Sequence, residues 1–148
     1  MSEGPERRLV EKPLIEQLIA MTDAEGRYLW KHTTGNPNDP SATGRESFRD
    51  TLLLDDLKDA LRRLNLNDHG EPWLDQRRIL QATNALQRLE GAQLLEKNEA
   101  ATTLLVKGTE VDGPDGTTYG QRQQTIRYID WDEPANNTFR VIDQFKVK

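Results

Sequence analysis

Asp130 and Asp132 flank Trp131 in the run Ile129-Asp130-Trp131-Asp132, an acid pair spaced to share a cation. Turn chemistry at the end of a strand accounts for the same two residues, since Asp side chains bond their own backbone two positions on. Arg127, Arg140 and Lys146 lie in the same strand-like text and are the candidate DNA contacts. Cations of this kind neutralise phosphates and supply sequence-independent affinity, although solvated strand positions carry them equally often. The two histidines, His32 and His69, sit in polar, loop-like surroundings, and two imidazoles do not complete a four-ligand metal site. The chain has no cysteine, which excludes disulfides and thiolate zinc sites. No metal ligands are assigned. Gly113-x-x-Gly116 belongs to a predicted hairpin and does not open a helix, so it is discounted as a phosphate loop.

The elements that must position these residues draw on a thin supply of apolar side chains. Of 148 residues, 34% are hydrophobic and 30% charged. A chain of this length still buries about 68–70% of its unfolded surface when it folds as one domain. The net charge of −5 argues against a nucleic-acid footprint over the whole surface and leaves room for a local basic groove. No apolar run reaches the length of a membrane span, and the opening MSEGPERR lacks the core of a signal peptide. The expected compartment is the cytoplasm.

Residues 1–12 are small or charged and are expected to form a disordered tail. Pro13 then opens a helix over about 13–22, with Leu14, Ile15, Leu18 and Ile19 on one face. The stretch KHTTGNPNDPSATGRES, residues 31–47, reads as a mobile loop. A helix over about 54–65 carries the stripe Leu57, Ala60, Leu61 and Leu64. Its early aspartates and its late Arg62 and Arg63 match the helix dipole, which explains the arginine pair without a phosphate. A third helix, about 72–90, presents Ile79, Ala82, Leu86 and Leu89, and a fourth, about 92–107, presents Leu94, Asn98, Ala101 and Leu105. Asn98 inside an apolar stripe requires a hydrogen-bond partner, for which a neighbouring backbone group is the first expectation.

After Gly108 the period changes to that of strands, over about 109–131 and 138–147, with Asp115-Gly116 as a hairpin turn. In the closing segment Phe139, Val141, Phe145 and Val147 fall on one side, and Arg140, Gln144 and Lys146 on the other. Asp143 lands on the apolar side. Either the strand bulges there or the carboxylate is buried against a partner. The fold class is thus α+β, N-terminal helices followed by antiparallel strands.

Residues 125–147 resemble the N-terminal region of the R subunit of type I restriction enzymes. The residues that carry the resemblance are Arg127-Tyr128-Ile129-Asp130-Trp131-Asp132, Pro134, Asn136-Asn137, Phe139 and Val141-Ile142-Asp143-Gln144-Phe145. Upstream, LEGAQLLEKNEAATTLLVKGTEV is similar to the family's helix of the type LLExN…LL with its following strand, and LDDLKDALRRLN to the short helix before it. Asp143 departs from the family's pattern, which more often has an amide at that position.

The resemblance implies residues 13–148 as an incomplete part of a PD-(D/E)xK restriction-endonuclease-like domain, at the front of a longer, ATP-driven DNA translocase. It also implies modification and specificity subunits as partners, DNA as substrate, and Mg²⁺ and ATP as cofactors of the whole protein, in bacterial defence. In such nucleases an Asp and the Glu of Glu-x-Lys hold the metal that activates water. Pro114-Asp115 spells the first half of that signature inside a predicted turn. Glu133 is followed by Pro134, and Glu11-Lys12 and Glu96-Lys97 have the wrong spacing. The catalytic acids are therefore expected beyond Lys148, and the closing strand is expected to be an open edge. Some nucleases of this class recruit a helix carboxylate to the metal. Glu16, off the Leu14–Ile19 stripe, is the one candidate catalytic residue, a solvated glutamate being the other reading. The alternative function is an autonomous acidic module that binds protein partners without catalysis.

Overall fold

The computed structural model describes residues 4–89, 91–114 and 123–147. They form two compact units. One holds the described residues up to Leu53 together with those from Glu133 onward, and the other runs from Leu54 to Asp132. Residues 13–148, expected as one nuclease portion, are thus divided, with the second unit inserted into the chain of the first.

The inserted unit contains helices α2 (Leu54–Leu64), α3 (Gln76–Gln87) and α4 (Leu94–Lys107) and an antiparallel pair, β2 (Thr109–Asp112) with β3 (Gln123–Ile126). Its core is built from Leu61, Leu74, Ile79, Ala82, Val111, Ile126 and Tyr128, with Leu57, Leu86 and Leu104 packed against it. The α2 and α3 stripes read from the sequence are the buried ones. Helix α3 begins later than Pro72 suggests, because Asp75 caps it: its carboxylate accepts from the Arg78 N–H at 2.9 Å.

Arg78 is itself buried, an uncommon fate for a guanidinium. Its Nε donates to the Asp112 carbonyl at 2.7 Å, Nη2 to the Gly113 carbonyl at 2.6 Å and Nη1 to Asp75 at 2.9 Å. These bonds join α3 to the end of β2. Asn65, just past α2, joins that helix to the segment after β3. Its amide donates to Leu61 O and Arg127 O, and its oxygen accepts from Arg127 N–H at 2.9 Å.

The α4 stripe is oriented differently from the sequence expectation. Leu94 and Leu105 are exposed, and the helix rests on the core through Leu104 instead. Asn98 is therefore in solvent, not inside a packed seam, and its carbonyl accepts from Thr102 Oγ1. The hairpin turn expected at Asp115-Gly116 lies outside the described residues.

Tyr128 packs into this core and donates from its hydroxyl to Ala82 O at 2.6 Å. Burial pushes its pKa up to about 12, partly offset by a hydrogen bond with Thr109. The folded state thus keeps the phenol proton where an unfolded chain releases it. The stabilisation is complete below about pH 10 and is lost as pH rises through about 12, at about 1.4 kcal/mol per pH unit. Urea titrations at pH 9 and pH 11 are expected to show a larger loss for the parent chain than for Tyr128→Phe. Equal losses would remove Tyr128 as the cause.

The other unit contains α1 (Lys12–Ala20), β1 (Trp30–Thr34), a 3₁₀ turn at Pro40–Thr43 and β4 (Phe139–Asp143). Strands β1 and β4 form a two-stranded sheet, and they run parallel, not antiparallel as the sequence suggested. Trp30 pairs with Phe139 in the register, and their rings lie 5.3 Å apart. Two sequence expectations are corrected here. The stretch 31–47 contains β1 and the 3₁₀ turn, because the distant strand β4 supplies the hydrogen bonds that hold Lys31–Thr34 extended. The expected tail, from Arg7 onward, is wound as a π-helical segment, Arg7–Glu11, that runs directly into α1. The closing strand, expected as an open edge, pairs with β1 on one side, and no strand among the described residues pairs with its other side.

Candidate functional site

The alternation of β4 places Asp143 on its apolar side, and the structure supplies the partners that such a carboxylate needs. Its side chain is 4% exposed. One oxygen accepts from His32 Nε2 at 2.7 Å, and the other pairs with the Arg7 guanidinium. Arg7 also lies 3.6 Å from the Glu11 carboxylate one turn later, and Glu11 in turn accepts from the Gln144 amide at 3.1 Å. Three segments far apart in sequence, at Arg7, His32 and Asp143, therefore meet at one charge-compensated junction.

Backbone geometry marks the same spot. Gln144 has φ +56°, the left-handed region that non-glycine residues rarely occupy, and this ends β4. Gly35 N–H donates to Asp143 O at 2.8 Å, and a Cβ on Gly35 would overlap the Gln144 carbonyl oxygen. Only glycine allows the two backbones to cross so closely.

The junction's chemistry is limited by its geometry. Thr34 Oγ1 lies 3.3 Å from His32 Nε2, the same nitrogen that Asp143 occupies. A hydroxyl nucleophile is activated by the imidazole nitrogen opposite the one the carboxylate orients, so this arrangement is not a triad. The carboxylate has one oxygen toward an imidazole and one toward a guanidinium, which leaves a cation no anionic face. Among the described residues no cluster of three or more His, Cys, Asp or Glu is placed to hold a metal.

The other candidates fall in separate places. Glu16 is exposed on α1. His69 is exposed in a turn where its N–H donates to Asn67 Oδ1. Asp130 is buried and accepts from the Asp132 N–H at 3.1 Å, the turn chemistry anticipated for that pair, and from Arg127 Nη1 at 3.2 Å. Arg127 further donates from Nε to Leu64 O, so its guanidinium is tied into the inserted unit. Arg140 and Lys146 belong to the unit that contains β4. Lys146 Nζ donates to Pro37 O at 3.0 Å and lies 4.7 Å from the centre of the Phe48 ring. Asp56-Leu57-Lys58 has the Asp-x-Lys spelling, but it sits in the first turns of α2. No helix among the described residues is long and apolar enough to cross a membrane.

Arg45 escaped the sequence reading altogether. It is buried, with Nε donating to Thr43 Oγ1, Nη1 to Asp50 O and Nη2 to Lys146 O, all within 2.9 Å. Its guanidinium stacks 3.8 Å from the centre of the Phe145 ring. It fastens the segment after β4 to the stretch that composition marks as loop. Arg7 was likewise hidden, in the expected tail. The detectable signal was Asp143, a carboxylate out of phase with its strand.

The protein family described as type I restriction enzyme R protein N terminus matches residues 8–148. Neither the curated proteins nor the solved structures contain a significant match.

Proposed function

Because the chain belongs to the family of type I restriction enzyme R protein N termini, we propose that it provides the scaffold of a PD-(D/E)xK-type nuclease in an R subunit and does not itself cut DNA. The observation that carries this reading is the family match over residues 8–148, which includes β4 and, of the junction at its end, His32 and Asp143 but not Arg7. In this reading the metal-holding Asp and Glu-x-Lys are supplied by polypeptide outside the 148 residues, since the chain's glutamates are nowhere followed by x-Lys. The R subunit works with modification and specificity subunits in the cytoplasm, drives DNA with ATP and cleaves it with Mg²⁺. Mg²⁺ suits an all-oxygen site that activates water and neutralises the scissile phosphate. Lys146 in the β4 unit and Arg127 in the inserted unit both keep solvent access for a phosphate, although each already donates within the chain, Lys146 to Pro37 O and Arg127 to Leu64 O and Asp130.

Incubation of the purified chain with supercoiled plasmid and Mg²⁺ tests the reading. Nicking no faster than the protein-free control is expected, with Glu16→Ala identical to the parent. Metal-dependent cleavage by the parent chain would overturn the proposal, and its persistence in both Glu16→Ala and Asp143→Ala would show a catalytic centre elsewhere in the chain.

A further inference from the structure

Three unusual local features converge where the N-terminal segment meets the end of β4. These are the π-helical winding of Arg7–Glu11, the left-handed backbone of Gln144 and the crossing at Gly35 that has no room for a side chain. A residue held in a disfavoured backbone region persists only while its surroundings hold it there. For Gln144 that hold includes Glu11, which accepts its side-chain amide, and Arg7, which pairs with the preceding Asp143.

The segment supplying those two contacts is weakly seated by apolar packing. In Arg7–Glu11 no residue is buried, and in α1 only Ile15 is. Leu9, Val10 and Leu14 are 68%, 60% and 51% exposed. Local opening is easiest where few apolar contacts are buried, so the polar pairs at the strand end carry a large share of the attachment. Arg7 and Glu11 both keep solvent access, with side chains 24% and 27% exposed, which makes their pairing open to screening by salt.

We propose that Arg7–Ala20 is an electrostatically latched strap: it leaves the β1–β4 sheet as one piece, and its departure frees the end of β4 at Asp143 and Gln144. The charged groups that set the latch are Arg7, Glu11 and Asp143, with His32 as the second hydrogen-bond partner of Asp143. The strap thereby provides a built-in control over the accessibility of the β4 terminus, separate from any cleavage chemistry.

Hydrogen exchange by mass spectrometry on the full 148-residue chain tests this. Raising NaCl from 50 mM to 1 M shortens the screening length from over 10 Å to about 3 Å, and amides of Arg7–Ala20 and of β4 are expected to exchange about fivefold faster, in step. Amides of α2 and α3 should not change. Arg7→Gln at 50 mM NaCl should reproduce the high-salt pattern and show little further response to salt. Unchanged β4 protection in Arg7→Gln would overturn the proposal, as would acceleration of α2 and α3 by the same factor. If Arg7→Gln loses its fold, Glu11→Ala decides: joint acceleration of strap and β4 supports the latch, and no change in β4 rejects it.

Discussion

Replacing Asp143 by alanine is expected to lower the stability of the chain by about 3 kcal/mol and the melting temperature by about 6–12 °C. The reason lies in the junction. Asp143 is the anion between His32 and Arg7, and its removal leaves two donors without their shared acceptor at a site where its side chain was 4% exposed. Breaking a buried charge pair costs about 3–5 kcal/mol. The lower figure applies because His32 and Arg7 retain 28% and 24% side-chain exposure. Asp143→Asn keeps a hydrogen-bond acceptor for His32 but not the charge opposite Arg7, and should fall between the parent and alanine. Urea unfolding followed by circular dichroism measures both. A loss under about 1 kcal/mol for Asp143→Ala would mean that the junction is solvated and contributes little.

Arg45→Ala should cost a similar amount, about 3 kcal/mol, by a different route. The guanidinium satisfies the Asp50 and Lys146 carbonyls and the Thr43 hydroxyl at once while covering the Phe145 ring. Hydrogen bonds from a charged donor contribute about 1.5–3 kcal/mol each, less the cost of holding the group out of water. The informative comparison is Arg45→Lys. An ammonium cannot span three acceptors in a plane, so lysine should recover less than half of the loss. Full recovery would show that charge alone, and not the planar fork, holds the segment after β4.

These two residues also show what a single sequence discloses. Asp143 was visible because it broke a two-residue alternation, and a carboxylate out of phase requires a physical explanation. The stripes of α2 and α3 were visible because periodicity is local: Leu61, Ile79 and Ala82 are buried by the helices that present them. Strand β1 was not visible. Lys31-His32-Thr33-Thr34 is extended because β4 pairs with it, and His32 and Asp143 are separated by 111 positions. No window on composition reaches that far. The same holds for Arg45, whose acceptors include a carbonyl 101 residues away. For α4 the period was right and the buried side wrong, because contact through Leu104 turns the Leu94–Leu105 stripe outward. The family motifs located the region, while the tertiary ties determined which of its residues are buried and paired.

The insertion of Leu54–Asp132 into the chain of the first unit affects the order of synthesis. Translation releases His32 well before Asp143, and at about 5–20 residues per second the interval for 111 positions is about 6–22 s. During that interval β1 lacks the strand it pairs with, whereas β2 and β3, which pair with each other, have both been made by Ile126. Synthesis therefore completes the β2–β3 pair before the β1–β4 pair can form.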